Sequence, residues 1–524
     1  MLTGTIPFDR YPGLAPLFRD FLQGLPEFFP DPPTIEAAAA RGRRLLGTPT
    51  RVPAEAFRGR LPEAEAMARD LAAGRAVAVL AGHQVGLFTG PLFTITKAFD
   101  AIRAARQLRE AGVAAVPVFW ALTDDHDLEE VARTARPGKE GPELIVLEGA
   151  DRANRRPVGG IPLPEKVNEV LESFRGDARS PEAEEILEAF ARRYAPGIPY
   201  GEAFIETLFD LVGGEPLLVV DPGSEPLRRA AAEFFLLAAK KEKEVREALR
   251  DATTRLVGAG KPVPVAFRPE VFPFFSVAGG ERRRAEDLAA AVDAVERGLA
   301  WPSTDVLTRP VFKSFLMPVA ASVLGAAEIA YHAQALALFP VFDLAPPVLL
   351  PRSHLVLLGP PERRAAEALG IEASQLLQPP GPSPAPPTPE VETLSRITGN
   401  LQKELDSLEP RLRETDPTLV GALETAGRKI AYQVEQLVER IRKAAERKDE
   451  TAVKRRQRLE TMLLPGGTPA ERLYPPLVPM LAYGRDALAA VHEAAQGGVS
   501  AMQGATIVNL GADRPAETEG VHVR

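Results

Sequence analysis

Within one short arc the chain carries His83, Gln84, Thr89, Thr94, Thr96 and Lys97, with Gly82, Gly86 and Gly90 between them. A β-branched run (residues 77–80) precedes this stretch, and apolar residues at helical spacing (Ile95, Phe99, Ile102) follow it. Strand, glycine-punctuated loop and helix start in that order suit an anion, because free backbone N–H groups and the positive end of a helix dipole converge on the loop. His83, Gln84 and the threonines would hold a phosphate or a carboxylate there, with Lys97 offsetting its charge. The alternative is a tight turn whose polar residues only cap the helix. The stretch is neither G-x-G-x-x-G nor the Walker-A pattern.

A second group is Asp124-Asp125-His126-Asp127, at the end of an apolar run that closes on Trp120. Carboxylates flanking an imidazole suit either a divalent metal or a His–Asp acid/base pair, and the residue types alone leave both open. Further on, Thr308-Arg309-Pro310 and Glu328, Tyr331 and Gln334 form polar islands in an apolar stretch, and Arg352 follows Pro351. Arg309 and Arg352 would grip a substrate carboxylate through paired N–H groups, and Glu328 would meet an amine. Alternatively, Glu328 and one of the arginines form a structural ion pair. The basic run Lys454-Arg455-Arg456-Gln457-Arg458 reads as a solvated helix face.

Strands must present these groups and helices must back them. Residues 77–80, 113–120, 144–147 and 217–220 read as buried strands, and 95–109, 181–195 and 226–250 as helices. Alternation of the two predicts an α/β domain with a mainly parallel sheet, whose ligands sit outside the carboxyl ends of the strands. Residues 151–199, more polar and helical, read as an insertion over that sheet. Domain borders are expected at 1–378 for the core, 379–389 for a stiff proline-rich linker, 390–465 for a helical arm and 466–524 for a segment returning to the core. In the arm, Leu394, Ile397, Leu401, Leu405, Leu408 and Leu412 follow three-four spacing, and Val420, Leu423, Ile430, Val434, Leu437 and Ile441 repeat it. Asp416-Pro417 marks a turn between two helices of an antiparallel coiled coil, the second spanning 417–464. Pro410 should end or kink the first helix, and Gly427 should weaken the second.

Composition narrows the function classes. A net charge of −8 leaves no electrostatic footprint for nucleic acid. No stretch approaches the roughly 20 apolar residues of a membrane helix, and Pro7 and Asp9 stand where a signal peptide would be apolar, so a cytoplasmic location is expected. Cysteine is absent, which excludes disulfides, thiolate metal sites and a cysteine nucleophile.

In their literal wording these segments resemble the family of bacillithiol-biosynthesis cysteine-adding enzymes. Residues 82–96 are similar to its Gly-Gln-Gln-x-Gly-Leu-Phe-Thr-Gly-Pro-Leu-Tyr-Thr motif, and 116–130 to its Val-Pro-Val-Phe-Trp strand running into Glu-Asp-His-Asp. Residues 307–310, 328–334, 416–419 and 471–484 follow its pattern in order, so the resemblance spans nearly the whole chain. Departures are His83 for glutamine, Asp124 for glutamate, and residues 324–327 in place of a Gly-Gly-Pro-Gly loop.

The resemblance implies a Rossmann-like, nucleotidylyltransferase-like core with an added antiparallel coiled-coil domain that supports a homodimer. It implies a ligase joining the carboxyl group of cysteine to the amine of glucosaminyl-malate. A carboxylate condenses with an amine in water only once its oxygen becomes a leaving group, so ATP, with magnesium, is expected to activate it; no residue is assigned as a metal ligand. The glycine loop (Gly82, Gln84, Gly86, Thr89, Gly90, Thr94) would hold phosphates, and His83 with Lys97 would stabilise charge on the leaving group. His126 with Asp125 or Asp127 would take the amine proton. Arg309 or Arg352 would grip the malate carboxylates. Other readings of the same residues are a related carboxylate–amine ligase or nucleotidyltransferase with a different acceptor, and a non-catalytic dimeric scaffold.

Overall fold

The computed structural model describes residues 2–139, 141–149, 155–378, 389–416, 418–448, 450–496 and 502–511. Its centre is a six-stranded sheet in the spatial order Val348–Pro351, Val319–Leu324, Val77–Gln84, Ala115–Leu122, Leu218–Val220, Phe57–Arg58. All neighbours are parallel except the short edge strand Phe57–Arg58. Strand Ala115–Leu122 is buried at every position, as a parallel strand covered on both faces must be.

Alternate side chains divide the core. Val77, Val79 and Phe119 pack under helices Phe93–Glu110 and Tyr200–Val212, whereas Ala78, Leu80 and Trp120 pack with Phe234 and Phe312 on the other face. After Val77–Gln84 the chain first builds outward through Ala115–Leu122 and Leu218–Val220. It then returns to lay Val319–Leu324 and Val348–Pro351 on the opposite side. That reversal opens a crevice at the carboxyl ends of the strands, where ligands of such sheets bind.

Two smaller sheets flank this frame. A three-stranded antiparallel sheet (Phe274–Ala278 between Glu281–Arg284 and Ala300–Thr304) lies beside the crevice. A second joins both ends of the chain: Gly504–Asn509 runs antiparallel to Thr5–Pro7 and parallel to His354–Leu358. The buried run expected at 144–147 is strand Pro142–Val146, but it pairs only with Arg133–Pro137 in a separate hairpin. Its apolar residues are too few to enter the central sheet, and Leu144 is 69% exposed. The helix expected at 226–250 is two helices, Glu225–Lys240 and Glu242–Gly258.

In the arm, helices Pro389–Thr415 and Thr418–Lys448 fold back on each other, and Glu450–Leu463 docks Leu459 and Leu463 into the core. The linker residues 379–388, Pro417 and the tail from Arg514 lie outside the described residues. Pro410 does not end the first helix. The first helix continues through Pro410 to Thr415, because Pro410 is exposed and water can take the carbonyl it leaves unpaired. Gly427 is buried against the first helix: a Cβ there would lie 3.2 Å from Leu405 Cδ1. A third of the expected stripe faces outward, with Ile397, Leu408, Ile430 and Leu437 exposed. The basic run is only partly a solvated face, since Arg458 Nε donates to Glu362 Oε1 at 2.6 Å.

Candidate active site

The glycine loop is built inward. Phe88, Thr89 and Gly90 all take positive φ (51°, 70° and 70°), which turns the chain sharply enough for Gly86 and Gly90 to touch: a Cβ on Gly86 would sit 3.1 Å from Gly90 Cα. Tyr194, from the helical segment over the sheet, locks the turn by accepting from Thr89 N (2.8 Å) and donating to Gly86 O (3.3 Å). The N–H groups of Gly90, Leu92 and Thr94 are also spent, on Leu87 O, Tyr474 O and Pro91 O. Thr89, Thr94 and Thr96 are fully buried. Those four N–H groups, with the hydroxyls of Thr89 and Thr96 spent on Phe88 O and Leu92 O, therefore do not form the expected phosphate cradle, whereas Thr94 Oγ1 is buried without a hydrogen-bond partner among the described residues. An anion site needs unpaired N–H groups; Tyr194 and Tyr474 have taken two of these and the turn itself the other two.

His83 and Gln84, at the end of the central strand, do face the crevice. His83 Nδ1 is 3.1 Å from Gln84 O, so it carries the proton and leaves a lone pair on Nε2. Burial, then the Lys97 charge, pushes its pKa down to about 4. A neutral His83 accepting at Nε2 cannot donate to a leaving phosphate, contrary to the role expected for it. Lys97 is 2% exposed; it donates to Gly82 O at 3.0 Å and pairs with Glu328. Glu328 also accepts from Gly325 N at 2.7 Å. Burial would raise the Glu328 carboxyl, but Lys97 holds it below its ordinary value. The structural pair of Glu328 is thus with a lysine, and not with an arginine.

Across the crevice Asp125 is the hub. Its carboxylate accepts from Gln84 Nε2 (3.1 Å), Arg282 Nη1 (3.1 Å) and its own neighbour His126 N (2.8 Å), and Arg309 Nη2 stands 3.6 Å away. Burial opposes the charge, but His126, Arg282 and Arg309 hold this carboxyl far below the usual carboxylate range. Arg282 Nη1 also lies 2.7 Å from His126 Nδ1, nearer than Asp125 Oδ1 at 3.4 Å. A guanidinium can only donate, so Nδ1 accepts and the proton of neutral His126 sits on Nε2. His126 therefore presents a donor, not the base expected of it. Asp127 is exposed and caps helix Leu128–Val131 through Glu130 N at 3.0 Å, so it does not assist His126. Asp124 accepts from Ser303 Oγ at 2.6 Å. Among the described residues no three His, Asp or Glu side chains converge as metal ligands.

Two further expected residues, Arg352 and Gln334, are spent on partners within the chain. Arg352 is clasped by the fully buried Glu471, with Nη1–Oε2 at 3.0 Å and Nη2–Oε1 at 2.9 Å. Glu471 also accepts from Leu355 N (2.8 Å) and His354 Nδ1 (3.1 Å). A carboxylate of this chain thus occupies the fork expected for substrate. Gln334 is fully buried and spends its amide on Val265 N (3.0 Å), Val265 O (3.0 Å) and Thr253 Oγ1 (3.1 Å). Tyr331 stacks on His332 at 5.0 Å; its hydroxyl is pushed up first by burial, then by Glu328, with Arg309 acting the other way.

Arg282, Ser303, Lys313 and Glu471 are the residues that sequence reasoning missed. Arg282 had one available signal. In Gly279-Gly280-Glu281-Arg282-Arg283-Arg284 a hairpin turn precedes three arginines, and only the first of them, Arg282, is buried, 1% exposed. Its guanidinium lies 3.6 Å from the Phe275 ring centre and also bonds Ser303 Oγ (3.0 Å) and Thr304 O (3.1 Å).

Comparison with known proteins agrees with this architecture. Residues 54–353 match the N-terminal Rossmann-like domain of BshC of bacillithiol biosynthesis, and residues 388–498 match its C-terminal coiled-coil domain. A Solibacter usitatus protein named "Putative cysteine ligase BshC" is 29% identical, covering 88% of this chain and 90% of that protein. Proteins of the same name from Koribacter versatilis (29% identical; 86% and 89% covered) and Thermus thermophilus (29%; 84% and 91%) are similarly related. With both of its domains matched in order on a parallel sheet and a two-helix arm, the chain belongs to the BshC family of bacillithiol biosynthesis.

Proposed function

We propose that this ligase couples the carboxyl group of L-cysteine to the amine of glucosaminyl-malate, with ATP activating the carboxylate. The observation that carries the reading is the set of groups at the strand ends: Gln84, Asp125, His126, Arg282 and Arg309 on one wall, and His83, Lys97 and Glu328 on the other. Several polar atoms there are buried without a partner among the described residues, notably Arg309 Nε and Gln84 Oε1. A buried donor on a cation suits an anion, so a phosphate of ATP fits beside Arg309 and the Nε2–H of His126. ATP would supply the leaving group. The chain would orient the carboxylate, exclude water and stabilise the charge that develops as the C–O bond breaks. The His83 lone pair and the Gln84 carbonyl would accept hydrogen bonds from the amine or sugar hydroxyls of the acceptor.

The arm completes the proposal. Ile397, Leu408, Ile430, Tyr432 and Leu437 leave an apolar seam exposed on it, which a second copy would cover to make a homodimer. Among the described residues no helix is long and apolar enough to cross a membrane, and we place the reaction in the cytoplasm with free small molecules as its partners. Incubating the purified chain with cysteine, glucosaminyl-malate, ATP and magnesium, omitting each in turn, tests the scheme by mass spectrometry. Amide product requiring all components is expected, and AMP or ADP then names the intermediate. Product without ATP refutes the activation scheme; product with another amine but not this one refutes the acceptor. His126→Ala should lower turnover with the fold intact, and full activity would remove the donor role given to His126.

A further inference from the structure

Lys313 takes part in none of the pairs described above. It stands on helix Arg309–Leu316 one turn beyond Arg309, half-buried, with Nζ 5.2 Å from the centre of the Trp120 ring. Trp120 is in register with Gly82, the residue whose carbonyl holds Lys97. Two lysines thus reach the same row of strand ends from different helices, with different fates. Lys97 has a carbonyl and a carboxylate. Lys313 Nζ has an indole face and, among the described residues, neither a hydrogen bond nor an ion pair.

The charged and titratable groups around it come from four elements: Arg309 on its own helix, Glu328 and His332 on helix Ala326–Ala335, Lys97 on helix Phe93–Glu110, and Asp124 after strand Ala115–Leu122. Glu328 pairs with Lys97 and Asp124 accepts from Ser303 Oγ, and the two cations nearby, Lys97 and Arg309, each face a carboxylate of their own. Burial first, and Arg309 second, push the ammonium down to about 7. An amide-forming step needs a base for the attacking amine, and neither histidine supplies it: His126 offers an N–H, and His83 is too weakly basic.

We infer that Lys313 Nζ is the base that takes the proton from the acceptor amine as it attacks the activated carboxyl group. The inference rests on the amide-forming reading above. In the step, the amine nitrogen forms the C–N bond and the C–O bond to the phosphoryl leaving group breaks, its electron pair departing on the phosphate. The amine proton passes to Nζ, and the resulting ammonium returns it to water. A neutral amine beside a cationic guanidinium is a known way of readying lysine for proton transfer.

Two measurements on the full chain test this. In the first, lysines are labelled competitively with acetic anhydride from pH 6 to 10 and mapped by peptide mass spectrometry. Lys313 should reach half-reactivity near neutrality; a midpoint for Lys313 above pH 9 overturns the inference whatever the substrate. In the second, K313Q and K313R are compared with the parent chain in turnover. Both should lose kcat by about 10²–10⁴-fold with KM nearly unchanged, and K313A should be partly rescued by small primary amines. If K313R keeps its rate, positive charge alone is what the site needs, and the base assignment falls while the ligase reading stands. If the parent chain forms no amide at all, it is the ligase reading that falls.

Discussion

Replacing Glu471 by glutamine should be among the most damaging single-atom changes available to this chain. Glu471 is fully buried, holds Arg352 by two hydrogen bonds of 2.9 and 3.0 Å, and accepts from Leu355 N, His354 Nδ1 and Tyr11 Oη. It thereby ties the N-terminal segment, the end of strand Val348–Pro351 and the segment after the arm to one point. Glutamine keeps the shape and an acceptor oxygen but leaves the Arg352 guanidinium, itself 3% exposed, without a counter-charge. Breaking a buried ion pair in this way costs about 3–5 kcal/mol, and the bonds retained by the amide oxygen place the expected loss toward the lower end. At a urea slope of about 3 kcal/mol/M, the midpoint should fall by about 1 M, read from fluorescence of the buried Trp120. The pair Arg352→Met with Glu471→Leu should recover much of the loss, because no orphaned charge remains. A Glu471→Gln chain of unchanged midpoint would refute the argument. So would an Arg352→Met chain that stays fully stable and loses only acceptor KM, which would restore Arg352 as a substrate grip.

Two further outcomes are expected. Gly82→Ala should lose about 1–3 kcal/mol in denaturant titration and slow turnover, since its Cβ would meet Trp120 O at 2.7 Å and Trp120 Cβ at 2.9 Å, forcing adjacent strands apart; wild-type stability would show that the strands can shift freely. Stability should also fall as the pH drops from 6.5 toward 4. His332 and His354 are both buried with pKa pushed down to about 4, so the unfolded chain binds protons in that window and the native chain does not, at up to about 3 kcal/mol each. Below pH 4.5 the depressed Glu471 carboxyl adds to the loss in the same direction. A flat urea midpoint across pH 4–6.5 would contradict this, and His354→Phe should shallow the slope if the reasoning holds.

Much of the frame was legible because its signals are local. Continuous apolar runs marked the strands at Val77–Gln84, Ala115–Leu122 and Leu218–Val220, and apolar residues at helical spacing marked Phe93–Glu110. Three-four spacing marked the two helices of the arm. Asp125, His126 and Arg309 were legible as crevice residues because polar groups stood at the ends of apolar runs, where a parallel sheet exposes its carboxyl edge.

What each group does there was decided elsewhere in the chain. Arg352 and Arg309 look alike in sequence, but a glutamate 119 residues away occupies the first. His126 looks like a base until Arg282, 156 residues on, donates to its ring. The threonines of the glycine loop look like anion ligands until Tyr194 and Tyr474 O take two of the loop's N–H groups. Lys313 looks like an ordinary helix lysine and differs in that its Nζ has no hydrogen bond or ion pair among the described residues. Periodicity and residue type set which segments form strands and helices and which residue types meet at their ends. Hydrogen-bond partnership, tautomer and protonation depend on which distant groups share a low-dielectric space, and those the tertiary structure alone determined.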